Sequence, residues 1–278
     1  MKDALLDALE RSRAGYTELR IRRLWTTTVL VRDRHVDSAT TGLETGGFVR
    51  CCSPGTGWGQ VGVSGADRLF GEVLRAHELS LAVPSRVPVS LAPIAVRQLE
   101  AAGPLPDDPR EVPLPEKRHQ AESLAALISA ADRRITSSRI LLRDQVAETW
   151  LATSEGTWIH DLRAEASVAV LAVAEQEGSV ERAIGSLGAA GGWKAAADAE
   201  AMVVATAARA VERLHATPVR PGRYPIVLDG AAAGALVHRA VAHLARPSLP
   251  GADPDVLPLG TRVGPECLTV GDDPTAPG

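Results

Sequence analysis

The strongest constraint on the fold is a change of hydrophobic period that occurs twice along the chain. From Tyr16 to Trp25 the residues alternate between apolar and charged, the period-two pattern of a strand with one buried face. Just before it, Leu5, Leu6 and Leu9 recur at helical spacing and Gly15 stops the run, so a short amphipathic helix leads into the strand. The same succession returns later. Leu114 to Ala131 carries Pro115 in its first turn and Leu124, Leu127 and Ile128 on one stripe, and alternation then resumes at Ile135. A chain with this order is expected to be α+β: antiparallel sheets with covering helices, in two helix-plus-meander halves.

In the first half, Thr27 to Val31, His35 to Ala39, Gly46 to Cys51 and Gly57 to Val63 read as further strands, with Asp33-Arg34 as a turn. Ser64 or Asp67 is expected to cap a helix running through Phe70, Val73, Leu74 and Leu81. Prolines and short acidic turns between Pro84 and Pro115 predict a surface linker. In the second half, Ile135 to Leu142, Val146 to Thr153, Thr157 to Asp161 and Ala166 to Ala174 read as strands, with a tight turn at Ser154-Glu155-Gly156. Gly185, Gly188, Gly191 and Gly192 are expected to break the last strand, and Ala195 to Leu214 to form one long helix. The resulting division is residues 1–190 as an α+β domain, 191–217 as a connecting helix and 218–278 as a further segment.

A hydrophobic content of 45% supports an ordinary core, and a net charge of −4 argues against a polyanion-binding surface, so no nucleic-acid partner is expected. Lys2, Lys117 and Lys194 are the only lysines among the 30 basic residues. Acids at Asp3 and Asp7 interrupt what a signal peptide would need to be apolar, and no window reaches the roughly 18 apolar residues of a membrane span. A cytoplasmic protein is expected, with no membrane partner. Cys51 and Cys52 are adjacent and Cys267 is distant, which gives no disulfide framework; in an alternating strand one of the adjacent thiols should face the core and the other outward.

The stretch that carries candidate chemistry runs from Ile226 to His243. Ile226-Val227-Leu228 reads as a short strand that breaks at Asp229-Gly230, and an Ala-rich helix follows with His238 and His243 on it. Two imidazoles on one rigid element are part of what a catalytic zinc site asks for, along with a third ligand and a carboxylate base. Five positions apart, an ideal helix would place the two rings about 140° apart, against about 40° for an i, i+4 pair. A π-bulge or an unwound turn between Ala240 and Ala242 would bring them together.

An ordered series of motifs, rather than any one of them, resembles the TldD/PmbA family of zinc peptidase-like proteins. The series starts with the Tyr-x-Glu-Leu-Arg strand at Tyr16, Val-Arg-Asp-Arg-x-Val-Asp-Ser from Val31, Gly-Gly-Phe-Val-Arg from Gly46 and Gly-Trp-Gly from Gly57. It continues with Asp-Pro-Arg-x-Val-Pro-Leu-x-Glu-Lys from Asp108 to Lys117, Ala-x-Ser-Glu-Gly from Ala152, and Tyr-Pro-Ile-Val-Leu-Asp-Gly from Tyr224. The resemblance implies that His238 and His243 match the two histidine ligands of a zinc site, and that Arg239 stands where active members carry the catalytic glutamate. It also implies that 218–278 is a truncated start of the C-terminal metallopeptidase-like domain, so that the later cysteine ligand has no counterpart here; no ligand role is carried onto Cys267.

Two functions follow from the resemblance. One is a metallopeptidase-like protein acting on peptide substrates with an impaired zinc site. The other is a non-catalytic partner subunit that forms the peptide channel with an active homologue, as a homo- or heterodimer. Arginine cannot serve as a base, because a guanidinium has no acceptor and stays protonated. Leu268 to Val270 is expected to be a strand, and the segment after Arg246 to be mobile or docked on another chain. Gly185 to Gly192 has no Lys-Ser/Thr partner for a phosphate loop, His35, His77, His119, His160 and His215 read as surface or half-buried residues, and Trp25, Trp58, Trp150, Trp158 and Trp193 as packing residues.

Overall fold

The computed structural model describes residues 1–83, 91, 93–105, 107–242, 260, 262 and 264–271. The chain divides into two compact units, Met1–Ala216 and Thr217–Gly278. The first is α+β and follows the order α1 (Lys2–Glu10), β1 (Tyr16–Arg32), β2 (His35–Cys52), β3 (Trp58–Val63), α2 (Leu69–Ala82), β4 (Gln98–Ala101), α3 (Leu114–Ala131), β5 (Ile135–Thr153), β6 (Trp158–Gln176), β7 (Ser179–Ala190), α4 (Lys194–Ala197) and α5 (Glu200–Arg213).

The two meanders join into a single seven-stranded sheet rather than two sheets. Its order is β3-β2-β1-β5-β6, with β4 and β7 both paired to the outer edge of β6. β1 lies antiparallel to β5 along its length, from Glu18 opposite Thr153 to Arg32 opposite Arg139. The helix, three strands and helix of α1 to α2 are thus repeated from α3 to α5, and the first strands of the repeats form the seam of the sheet. Every pairing is antiparallel except that of β4 with β6.

Period-two patterning decides which face is covered. On β1, Leu19, Ile21, Val29 and Val31 are fully buried, while Arg20 and Arg22 on the opposite face are exposed. α1 and α2 bury Leu5, Leu69, Val73 and Ala76 against Leu19, Ile21, Val49 and Trp150. α3 and α5 bury Leu124, Ile128, Val203 and Ala207 against Val29, Ile140, Val168 and Val170. Burying each of the larger side chains is worth roughly 1.5–3 kcal/mol before conformational entropy is counted. Both helix layers lie on the same face, so the other face of the sheet carries no helix among the described residues of this unit.

Several local expectations are corrected. The strands expected at Tyr16 to Trp25 and Thr27 to Val31 are one strand, and β2, β5 and β6 likewise run unbroken through short polar stretches, because hydrogen bonding to a neighbour on each side outweighs local propensity. The helix after β3 starts at Leu69 with Arg68 as its N-cap and no side-chain cap bond, not with Ser64 or Asp67 as cap. The linker contains the short strand β4 and a 3₁₀ turn at Pro109–Glu111, where the Asp108 side chain accepts from Arg110 N; residues 84–90, 92 and 106 of it lie outside the described set.

Gly185 and Gly188 do not break a strand but sit inside β7. A Cβ on Gly185 would fall 2.1 Å from Thr206 Oγ1 of α5, so glycine there lets the helix approach the sheet. The strand ends only at Gly191 and Gly192, both with positive φ. The expected single helix of Ala195 to Leu214 is two helices, interrupted around Asp198. Both Cys51 and Cys52 are buried, at 0% and 5% exposure, which corrects the expectation that one thiol faces outward.

In the second unit, Ile226 to Leu228 is not a strand. Val227 is fully exposed, and this tripeptide has no partner strand among the described residues. Leu268 to Val270 is not a strand either; Leu268 N instead donates to Pro265 O within a turn. Most of the segment after Arg246 lies outside the described residues, and with it the expectation of a mobile or docked tail.

Candidate functional site

The histidine helix forms as the sequence dictates at its start. α6 (Gly230–Val237) begins at Asp229, whose Oδ1 accepts from Ala232 N at 2.8 Å. A carboxylate at this position satisfies one of the orphan N–H groups and opposes the positive helix end. The helix then passes into a π-helical turn over His238–Ala242. Bonding from i to i+5 widens the turn so that residues five apart come nearly one above the other, as i to i+4 bonding does for residues four apart.

His238 and Arg239 open this turn, and both are exposed. His243 lies outside the described residues, so the structure does not bring the two histidines into one described cluster. Cys267 is exposed. A catalytic zinc site takes three protein ligands. Among the described residues no three His, Cys, Asp or Glu side chains are grouped to hold a metal ion, so these residues alone do not make a complete zinc site, and no catalytic step is assigned to them.

The structure also assembles polar residues that were not singled out as a site from the sequence. They lie between the two helix layers on the covered face, where the repeats meet. Lys117 Nζ on α3 donates to Asp144 Oδ2 on β5 at 2.7 Å and to Thr27 Oγ1 on β1 at 3.2 Å. Both charged side chains are buried, at 2% and 4% exposure. The ammonium also lies 5.2 Å from the Trp193 ring centroid, a cation–π distance. Burial pushes the Asp144 carboxyl above the usual carboxylate range, and the hydrogen bond and charge of Lys117 oppose that shift.

Beside this pair, Arg110 forks onto Asp108 and stacks on Trp25 at 4.8 Å. Burial works to raise the Asp108 carboxyl, but the Arg110 hydrogen bonds outweigh it and hold the group below its ordinary value. A hollow of about 240 Å³ opens here between Trp25, Arg110, Val112 and Lys117. Further along the seam, His160 on β6 stacks on Trp150, with ring centroids 5.1 Å apart. Its Nε2 is 3.0 Å from Glu148 Oε1, and its Nδ1 contacts Glu100 on β4. His160 is half-buried, as expected, and its contact with Glu100 adds to the pairing of β4 with β6.

One signal for Lys117 was available in the sequence. With Ala121, Leu124, Ala125 and Ile128 it follows the spacing of the apolar stripe of α3, a position where an unpaired lysine would not be tolerated. His160 gave no such signal, because Glu100 and Glu148 meet it only through strand pairing.

The first unit is thus a helix-covered sheet built from two α+β repeats, and the second carries the histidine-bearing helix α6. Residues 107–217 match the model of the PmbA/TldA metallopeptidase central domain. A metalloprotease of Synechocystis sp. is 28% identical over 272 residues, covering 96% of this chain and 58% of its own. A metalloprotease of Methanothermobacter thermautotrophicus is 26% identical, with the same coverage of both chains. Among solved structures, TldE from Thermococcus kodakarensis matches with a TM-score of 0.60 at 12% identity, covering 76% of this chain and 47% of that one. A Bacteroides thetaiotaomicron protein described as a candidate modulator of DNA gyrase matches with a TM-score of 0.71 at 16% identity, covering 87% and 56%. The matched central domain and the two metalloprotease relatives support membership of the TldD/PmbA family. The chain spans 58% of the length of the two curated relatives named above. No helix among the described residues is long and apolar enough to cross a membrane.

Proposed function

We propose that the chain is a TldD/PmbA-type metallopeptidase-like protein of peptide proteolysis or maturation, with an incomplete zinc site of its own. The observation that carries this reading is the π-helical turn at His238–Ala242, which removes the geometric objection to a histidine pair five positions apart. His238 and His243 are then the two residues that would hold zinc. Bound zinc would supply Lewis acidity and a water of lowered pKa. Arg239, at the position of the base, has no acceptor with which to take a proton from that water. The third ligand has to come from outside the described residues.

Zinc content tests this reading. The purified chain and its His238→Ala variant are assayed alone and after co-expression with an intact family homologue. Near-stoichiometric zinc that falls in the variant is expected, and absence of zinc in every arm sinks the metal site. Gain of peptide cleavage on Arg239→Glu in the co-expressed complex would trace the lost activity to that one position.

A second reading is favoured by Arg239 and by the lack of a three-donor group among the described residues: a non-catalytic subunit, cytoplasmic, that pairs with an active homologue and shapes its peptide channel. Co-purification with the homologue, and a rise in the homologue's cleavage rate on addition of the Arg239 chain, are its expected outcomes. Unchanged homologue activity in a verified complex would remove it.

A further inference from the structure

One face of the sheet is covered by helices, and no helix among the described residues of the first unit lies on the other. Cross-strand register places Arg20 of β1 opposite Leu151 of β5 and Arg22 opposite Thr149, while Leu151 and Thr149 lie opposite Ile159 and Asp161 of β6. Side chains of directly opposed residues share a face, so these six positions form one patch. Together with Arg163 and Ala147 they line a hollow of about 430 Å³. Asp161 is already occupied, since its Oδ2 lies 2.6 Å from Arg163 Nε. Arg20 and Arg22 are exposed and have no acidic partner among the described residues. The patch therefore holds two uncommitted guanidiniums beside a floor of Leu151, Ile159 and Ala147.

A second hollow of about 460 Å³ lies further along β5 on the same face, with Arg143, Gln145, Glu165 and Ser167 among its lining residues. From Arg143 to Leu151 the strand spans roughly 27 Å at about 3.4 Å per residue, the reach of about eight extended residues. Arginine pairs with carboxylates through two parallel N–H donors, so two free arginines next to apolar ground select for a ligand that carries carboxylate and apolar side chains together.

We propose that this face is a binding groove for an extended peptide, with a carboxylate of the peptide held by Arg20 and Arg22 and its apolar side chains on Leu151 and Ile159. The choice of a peptide as ligand rests on the metallopeptidase-like reading; the groove itself is independent of zinc. An acidic side chain and a free C-terminus supply the same carboxylate chemistry.

The test is fluorescence anisotropy of labelled eight-residue peptides with the 278-residue chain in chelator, so that no metal contributes. The probes are an alternating Val-Glu peptide, its Val-Gln counterpart, each with a free or an amidated C-terminus, and a single-stranded DNA octamer. Binding of the Val-Glu peptide is expected to weaken at least tenfold in Arg20→Gln/Arg22→Gln and in a charge-reversed pair, and to change less than twofold in Arg118→Glu on the opposite face. Loss on replacing Glu by Gln assigns the side-chain carboxylate, and loss on amidation alone assigns the terminus. Equal affinity for all four peptides, no effect of the arginine variants, or tighter binding of the DNA octamer overturns the proposal. So does a concentration-dependent dimer by sedimentation that the arginine variants dissolve, since the face would then belong to a second copy. Peptide binding with no zinc in any arm of the metal assay leaves the groove standing and removes the zinc reading alone.

Discussion

Lys117 and Asp144 form a buried ion pair, Nζ to Oδ2 at 2.7 Å, at the place where the two repeats share a strand seam. Thr27, the third member, lies directly opposite Asp144 on the neighbouring strand, so the pair ties α3 to both central strands at once. Desolvating two charges offsets much of their mutual attraction, which makes the pair a weak source of net stability but a costly one to break.

Lys117→Ala is therefore expected to destabilise the fold by about 3–5 kcal/mol, because it leaves Asp144 buried without a partner. Lys117→Met with Asp144→Leu removes both charges at similar volume and is expected to cost far less than the sum of the single changes. Denaturant unfolding of the two single variants and the double variant, read as a cycle, measures this. A double variant as unstable as the sum would show that Lys117 and Asp144 act independently.

The β1–β2 turn carries an acid-dependent term. Asp33 accepts from Ser138 N and Ser137 Oγ, each at 2.8 Å, and these bonds hold its carboxyl below the ordinary value. The sign follows from proton binding: the folded state favours the carboxylate, so the contribution is full above the unfolded pKa of about 3.9 and fades as pH falls through the lower folded value. Asp33→Asn should flatten the acid limb of the stability profile and leave the neutral region changed by no more than about 1 kcal/mol for this exposed side chain. Unfolding midpoints from neutral pH down to the acid transition would reveal it, and parallel acid limbs in both proteins would refute the assignment.

How far the fold was legible depended on whether local pattern and tertiary context agreed. α3 was readable residue for residue, since Pro115 in its first turn and the stripe through Leu124 and Ile128 both belong to the helix itself. Asp33-Arg34 was readable as a turn, and both residues take positive φ there. The unity of the long strands was not, because Thr26, Arg143 and Gln145 read locally as interruptions and become strand only through neighbours on both sides. Gly185 misled in the opposite direction: its missing side chain answers to Thr206, which is remote in sequence. For the candidate site, the break at Asp229-Gly230 before the helix and the geometric need for a π turn were visible, while the partners of Lys117 and His160 come from strands remote in sequence.

That close approach of α5 to β7 gives a prediction about packing. Gly185→Val would drive a side chain into Thr206 Oγ1 and Met202 Sδ, which lie 2.1 and 2.7 Å from where a Cβ would stand. Overpacking of this kind typically costs about 1–3 kcal/mol, and a backbone shift of α5 is the expected response. Thermal unfolding should show the loss, and Thr206→Ala in the same chain should recover part of it by removing the nearest atom.

Cysteine reactivity separates the two units without any assumption about function. Burial raises the thiol pKa of both Cys51 and Cys52, and each Sγ lies against a backbone carbonyl, Val73 O and Ser53 O respectively. The reactive form of a thiol is the thiolate, so raised pKa and exclusion from solvent act together to slow alkylation. Cys267 is exposed. Native labelling with iodoacetamide near neutral pH should modify Cys267 first, with Cys51 and Cys52 reacting only on the timescale of unfolding; denaturant should bring all three to comparable rates. Fast native labelling at Cys51 would mean that α2 opens from β2 far more readily than its burial of Val73 and Ala76 allows.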